Sequence, residues 1–135
     1  RKPYWFRNPE QHEMKRQNML QNFHPIMKMA VPNFLEADVR FLHKTANLRK
    51  VRVAAALNIY RSRNGRYPDS LSDLSPGILQ ELPKDPFNGK NFHYDVMQNG
   101  ASFRLYSIGP DRMDNGTNPK YDPTNGTVSG GDILY

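Results

Sequence analysis

Apolar residues recur at helical spacing through the first half of the chain. Between Phe34 and Ile59 they return every three, four or seven residues, and no Gly or Pro interrupts the stretch before Gly65. This pattern predicts one long helix over residues 33–64, with Asn33 as its N-cap and Gly65 as its C-terminal cap. The apolar positions on this helix are Phe34, Ala37, Phe41, Leu48, Val51, Ala55 and Ile59.

The predicted helix is long for a domain of this size. Some thirty residues at 1.5 Å each make a rod of roughly 45 Å, which exceeds the width of a compact domain. We therefore expect part of the helix to contact residues 1–30, another chain, or both.

The residues before the helix carry a different pattern. Residues 1–8 mix cations with aromatic rings, so Trp5 and Phe6 are expected to lie against a membrane surface, a partner or the rest of the protein. Asn8-Pro9 predicts the start of a short helix, and His24-Pro25 predicts its end. Residues 1–32 are thus an arm with a short helix, and residues 33–135 are the folded domain.

Beyond Gly65 the pattern predicts short elements. Residues 65–90 are a Pro-rich connection, with one-turn helices expected at 70–74 and 77–82. Residues 91–108 alternate as a hairpin of two strands, 91–97 and 102–108, joined at 98–100. Residues 109–135 form an irregular loop that ends in a short apolar segment, a candidate edge strand. The predicted fold class is α+β: a long helix with a small antiparallel sheet.

Length and composition indicate a single domain and exclude a disulfide-linked or membrane-spanning chain. The chain has 135 residues and no cysteine, which corresponds to one domain without disulfides or a thiolate metal site. Its longest apolar run, residues 53–57, is far too short to span a membrane. Because the chain begins with Arg1, we expect it to be a processed product or part of a longer protein, with any membrane anchor upstream.

The charge is unevenly distributed. Residues 1–67 contain 14 Lys/Arg and 4 Asp/Glu, whereas residues 68–135 contain 5 and 9. A basic half is typical of proteins that bind nucleic acid, an anionic membrane or an acidic protein, although a solvated helix face explains it equally well. The candidate residues for polyanion binding are Arg49, Lys50, Arg52, Arg61, Arg63 and Arg66, which do not share one helix face.

Catalytic motifs are absent from the sequence. There is no nucleophile elbow, no zinc-protease motif, no phosphate-binding Gly-rich loop and no dinucleotide fingerprint. The four histidines are scattered and none is paired at metal-ligand spacing. We therefore expect a protein that is not an enzyme and has no small-molecule substrate.

Several local strings follow one another in a distinctive order. The helix ends in ALNIY and NGRYP, the connection contains LPKDPFNG, and the second strand runs into LYSIGPD before a terminal GDI. This ordered set resembles the globular domain of the major pseudopilin of type II secretion and related bacterial pilin-like proteins. The resemblance covers roughly residues 48–135 and implies a pilin-like α+β fold.

The resemblance also implies a calcium ion in the C-terminal loop. The implied ligands are the carboxylates of Asp111 and Asp132 and the backbone carbonyls of Ile108 and Met113. Gly131 stands where the family has another Asp, so Asp114 or Asp122 would have to supply that carboxylate. Hard cations prefer such oxygen ligands, but a metal-free loop held by Asx turns, or a disordered loop, also suits this composition.

These observations predict a structural or assembly subunit that lies outside the cytoplasm, periplasmic or extracellular, and associates with the membrane through a segment not in this chain. We expect an oligomer whose partners are other pseudopilin-like subunits or a membrane complex. The predicted partner-binding residues are Trp5, Phe6, Phe34, Phe41, Leu48 and Val51. The alternatives are an accessory subunit docked by its N-terminal arm, or polyanion binding by the basic helix.

Overall fold

A computed structural model describes residues 25–116 and 131–135, together with the isolated positions 14, 17, 18 and 21, which are helical. The rest of the predicted N-terminal arm, including Trp5 and Phe6, lies outside the described residues.

One unbroken helix, Pro25–Asn64, runs for 40 residues, or roughly 60 Å at 1.5 Å per residue. It begins ahead of Asn33, so the predicted N-cap is wrong. Proline fits the first helical position because its missing amide would have no partner there, and Pro25 therefore begins a helix rather than ending one. The helix continues through Pro32 and Asn33.

The end of the long helix agrees with the prediction. Gly65 has a positive φ of 78°, and its amide donates to the carbonyl of Arg61 at 2.8 Å. Arg61 and Arg63 occupy the last turn, where cations interact favourably with the helix dipole.

Three antiparallel strands form the sheet: β1 (His93–Met97), β2 (Ser102–Ser107) and β3 (Ile133–Leu134), in the order β1-β2-β3. Tyr94 faces Leu105 across the hairpin, and Tyr106 faces Leu134 on the other side of β2. Residues 98–100 make the tight turn of the hairpin. The expected α+β arrangement is confirmed, with the C-terminal segment as the edge strand.

The connection between helix and sheet contains only one of the two predicted one-turn helices. Leu71–Leu74 is a single 3-10 turn, and Ser70 caps it. The helix predicted at 77–82 is absent. The amides of Ile78 and Leu79 both donate to the carbonyl of Leu74, so the chain turns back instead of propagating a helix.

Two groups of buried side chains hold the helix to the rest of the fold. The larger lies under the hairpin and the 3-10 turn, and its buried members are Val53, Ala54, Ala56, Leu57, Tyr67, Leu71, Leu74, Leu79, Phe92 and Leu105. The smaller joins the helix to the C-terminal strand through Ala46, Phe87, Ile108 and Ile133. The sheet thus covers one side of the C-terminal half of the helix.

Candidate functional site

The side of the long helix turned away from the sheet is apolar and exposed. Leu48 is 73% exposed, Phe41 69%, Val51 54% and Ile59 43%. Together with the exposed Ala55, these residues form what we call the outer face. At 100° per residue they fall within a sector of about 80°, and they extend over roughly 27 Å.

The core of the domain is built by a different stripe of the same helix. Its buried members are Ala46, Lys50, Val53, Ala54, Ala56 and Leu57, on the opposite side from the outer face. Phe41, Leu48 and Val51, predicted to contact partners, are therefore not used by this domain's own core. The side chain of Phe34 lies outside the described residues.

The charged residues of the long helix from position 39 to its end are all cations. Residues 39–64 contain no Asp or Glu, the exposed Lys44 lies within the sector of the apolar stripe, and the exposed Arg52 and Arg63 border it. The outer face therefore combines apolar surface with positive charge.

A groove of about 440 Å³ lies along one edge of this face, between the helix and residues 80–84. Three cations line it: Arg49, Arg52 and Lys84. A terminal guanidinium nitrogen of Arg49 donates to the carbonyl of Lys84 at 2.7 Å, which fixes the Arg49 side chain across the groove. The Nζ of Lys84 donates to Asn91 Oδ1 at 2.7 Å.

Lys50 holds the C-terminal strand against the helix. Its side chain is only 1% exposed, and Nζ donates to the carbonyls of Ile133 at 2.8 Å and Leu134 at 2.6 Å. Burial lowers the pKa of Lys50 to about 8, although the nearby negative charge of Asp85 acts in the opposite direction. The sequence suggested Lys50 as a candidate for polyanion binding. Because its ammonium group is buried, Lys50 is not available for that role.

Asp85 is the fully buried acid in the same region. Its two carboxylate oxygens accept the amides of Phe87 at 2.9 Å and Ile108 at 3.2 Å, which ties the connection to the end of β2. Burial raises the pKa of Asp85, and these amides and the Ser107 hydroxyl counteract the rise. Sequence reasoning assigned no role to Asp85, and the string LPKDPFNG was the only signal.

The two ends of the C-terminal loop meet beside this buried region. Asp111 Oδ2 accepts the amide of Gly131 at 2.7 Å. Gly109 has a φ of 72°, and a Cβ there would lie 2.2 Å from the carbonyl oxygen of Gly131, so the two segments are in close contact. Asp132, which follows Gly131, is 1% exposed. The structure thus brings together two segments that carry predicted calcium ligands, Ile108 to Asp111 and Gly131-Asp132.

The predicted ligand Asp114 points toward the sheet. Its carboxylate accepts the Tyr106 hydroxyl at 3.2 Å and the Gly116 amide at 3.0 Å, and it lies 3.2 Å from Nδ1 of His93. The Gly116 amide is the main cause of the lowered pKa of Asp114. The carbonyl of Met113 accepts a long hydrogen bond of 3.4 Å from Asn115.

Within residues 25–116 and 131–135, no three acidic or histidine side chains converge in a way that would hold a metal ion. The donor chemistry of Asp111, Asp132 and the Ile108 carbonyl suits calcium, but Asp114 is engaged elsewhere. Asp122, the other candidate for the missing carboxylate, lies outside the described residues. The calcium site therefore stays a prediction.

In a comparison with protein-family models, residues 36–126, more than half of the chain, match "Type II secretion system (T2SS), protein G". The chain belongs to this family. Its members are the major pseudopilins of type II secretion, which are structural and non-enzymatic components, and the family match agrees with the helix-on-sheet fold. Comparisons with curated proteins and with solved structures found no match.

The match also agrees with the sequence prediction of a pseudopilin domain, which was made for residues 48–135. Among the described residues of this pseudopilin, no helix has an apolar stretch that could cross a membrane.

Proposed function

We propose that this chain is a structural subunit of a type II secretion assembly that works outside the cytoplasm, at the membrane, and packs against neighbouring subunits through the outer face of its long helix. Membership of the protein G family supports the assembly role. The observation that carries the proposal is the exposure of Phe41, Leu48 and Val51 on a helix whose core-forming residues lie on the opposite side.

The outer face is large enough to contribute to association. Burying a Leu or Phe side chain fully is worth about 1.5–3 kcal/mol. Leu48, Phe41 and Val51 are each more than half exposed in the single chain. Their burial against a neighbour would therefore supply several kcal/mol toward the cost of association.

Sedimentation velocity over a range of concentrations, with and without cross-linking, tests this proposal. Leu48→Asp places a charge in the middle of the outer face and is expected to shift the chain toward monomer without lowering its melting temperature. The matched control is Met97→Asp, because Met97 is also exposed, at 40%, but lies on the hairpin. If Leu48→Asp assembles like the parent chain, the outer face is not the assembly surface.

We further propose that calcium stabilises the C-terminal loop of this subunit, with Asp111, Asp132 and the Ile108 carbonyl among its ligands. The proximity of the two loop ends, through the hydrogen bond from Gly131 to Asp111, supports this proposal. A cation there would offset the negative charge of the two carboxylates and would hold the ends of residues 112–130 together.

Calcium binding is tested by a titration in which the melting temperature and the rate of protease cutting between Asp111 and Asp132 are measured. At a hundredfold excess over Kd, binding adds about 2.7 kcal/mol of stability, which is about 10 °C for a chain of this length. Magnesium is the control ion, and Asp111→Asn should abolish the shift. Equal shifts with both ions, or no shift with calcium, would refute the site.

A further inference from the structure

Building on the proposed assembly function, we infer that the outer face and the adjoining groove bind an acidic amphipathic helix of a partner protein. The partner helix would pack its apolar side on Leu48 and Phe41. Its carboxylates would then lie against Arg49, Arg52 and Lys84 in the groove.

The charges on the long helix set the charge of the partner. Residues 39–64 contain no acidic residue, Lys44 lies within the sector of the apolar stripe, and Arg52 borders it. A second copy that set its own outer face against this one would bring cations against cations, which disfavours this face-to-face pairing, so a neighbouring subunit has to present a different surface. Apolar surface flanked by acidic side chains is the complementary surface.

The groove supplies a cluster of cations that have no acidic partner among the described residues. In the part of the chain that the structure describes, neither Arg49, Arg52 nor Lys84 forms an ion pair with a carboxylate. Glu81 also lines the groove, and among the ion pairs of the described residues it forms none with these cations. Arg49 is held in place by the Lys84 carbonyl, so part of the ordering cost of a guanidinium–carboxylate contact is already met.

The spacing of these cations suits a helix as the occupant. Arg49 and Arg52 are three positions apart on the long helix, about 5–6 Å apart at Cβ. Arg52 borders the outer face, and Arg49 lies about 60° further around the helix, in the groove. A partner helix that lies along the apolar stripe presents its own acidic side chains at the same spacing. The apolar Leu82 and Pro83 form part of the far wall of the groove.

The N-terminal segment of the same chain does not provide this complement. Residues 1–24 contain 5 Lys/Arg and only 2 Asp/Glu, so their charge has the same sign as the groove. Nucleic acid would match the positive charge but would leave the outer face of Phe41, Leu48 and Val51 uncovered.

The probe for this inference is a fluorescent synthetic helix with Leu at its a and d heptad positions and Glu at the flanking positions. The matched probe has Lys at the flanking positions. Binding to the full chain is measured by anisotropy. We expect the acidic probe to bind and the basic probe not to bind, with affinity that falls as salt is raised.

Two substitutions locate the binding. Arg52→Gln removes a groove cation and should raise the Kd of the acidic probe about fivefold or more, and Leu48→Ala should weaken binding to a similar extent. The control Arg104→Gln removes the same charge from β2, where Arg104 pairs with Asp95 at 2.7 Å, and should leave Kd unchanged.

The inference would be overturned by equal binding of the acidic and basic probes, by no effect of Arg52→Gln, or by tighter binding of a single-stranded oligonucleotide or of phosphatidylglycerol vesicles than of the acidic probe. Loss of binding by Arg104→Gln as well would indicate a general charge effect and would also count against it. If Leu48→Asp disrupts assembly while Arg52→Gln does not, the assembly function stands and only the acidic partner is refuted.

Discussion

Replacing Lys50 by methionine should loosen the C-terminal strand and destabilise the whole domain. Methionine fills a similar volume but leaves the carbonyls of Ile133 and Leu134 without the Nζ donor that lies 2.8 and 2.6 Å from them. An unsatisfied buried acceptor costs about 1–3 kcal/mol, and the substitution also removes the positive charge near buried Asp85. The variant no longer has the cost of burying an ammonium group, which offsets part of this loss. We therefore expect the free energy of unfolding to fall by about 2–4 kcal/mol at pH 7.

The pH dependence of Lys50→Met provides a second, independent signature. Because burial lowers the pKa of Lys50 from 10.5 to about 8, the unfolded chain binds more protons than the folded chain between these two values. Stability from this residue should therefore rise as the pH rises through that window, by up to about 3 kcal/mol. The variant lacks this rise, so the difference in stability between parent and variant should grow from pH 7 to pH 9.5.

Urea unfolding followed by circular dichroism at pH 7 and pH 9.5 measures both effects. Lys44→Met is the matched control, because Lys44 is exposed on the same helix and its loss should change stability by less than about 0.5 kcal/mol. A Lys50→Met variant as stable as the parent at both pH values would refute the role of Lys50 as the link to the C-terminal strand.

Three further predictions concern the loop and its attachment. Asp85→Asn should lower the free energy of unfolding by about 2–3 kcal/mol, measured by urea unfolding. The side-chain NH2 of Asn would face one of the two backbone N–H groups that now donate to the Asp85 carboxylate, and that donor would lose its acceptor. Gly109→Ala should speed protease cutting after residue 111 and lower the melting temperature, because its Cβ would lie 2.2 Å from the Gly131 carbonyl oxygen. The lowered pKa of Asp114 predicts a contribution to stability that is present at neutral pH and is lost as the pH falls through that pKa. The melting temperature of Asp114→Asn should therefore fall less than that of the parent chain when the pH is lowered.

The parts of the fold that depend on local sequence could be predicted. Gly65 marks the end of the helix because it takes the left-handed conformation that residues with a side chain disfavour. This cap involves only residues that are close together in the sequence. The hairpin follows from alternation around residues 98–100 for the same reason. The helix start was missed because a proline after a polar residue occurs both at the first position of a helix and just beyond the end of one.

The parts that depend on distant residues could not be predicted. Lys50 bonds to carbonyls 83 and 84 positions away, and nothing in its local pattern distinguishes it from the exposed cations of the same helix. The periodic apolar stripe of Phe41, Leu48 and Val51 was recognised and predicted to contact partners. The second stripe, which packs against the rest of the domain through Val53, Leu57 and several alanines, was not recognised. Periodicity alone does not tell which of two stripes a domain buries.

Labelling of Leu48→Cys tests most directly whether the outer face is where subunits meet. The chain contains no cysteine, so the introduced thiol is unique, and the exposed position makes it reactive toward a maleimide. In the dilute, monomeric chain the label should attach at both Leu48→Cys and Met97→Cys, because both positions are exposed. When the full set of secretion subunits is co-expressed, we predict that Leu48→Cys becomes protected and Met97→Cys stays reactive. Equal reactivity of the two positions in the assembled state would contradict the account.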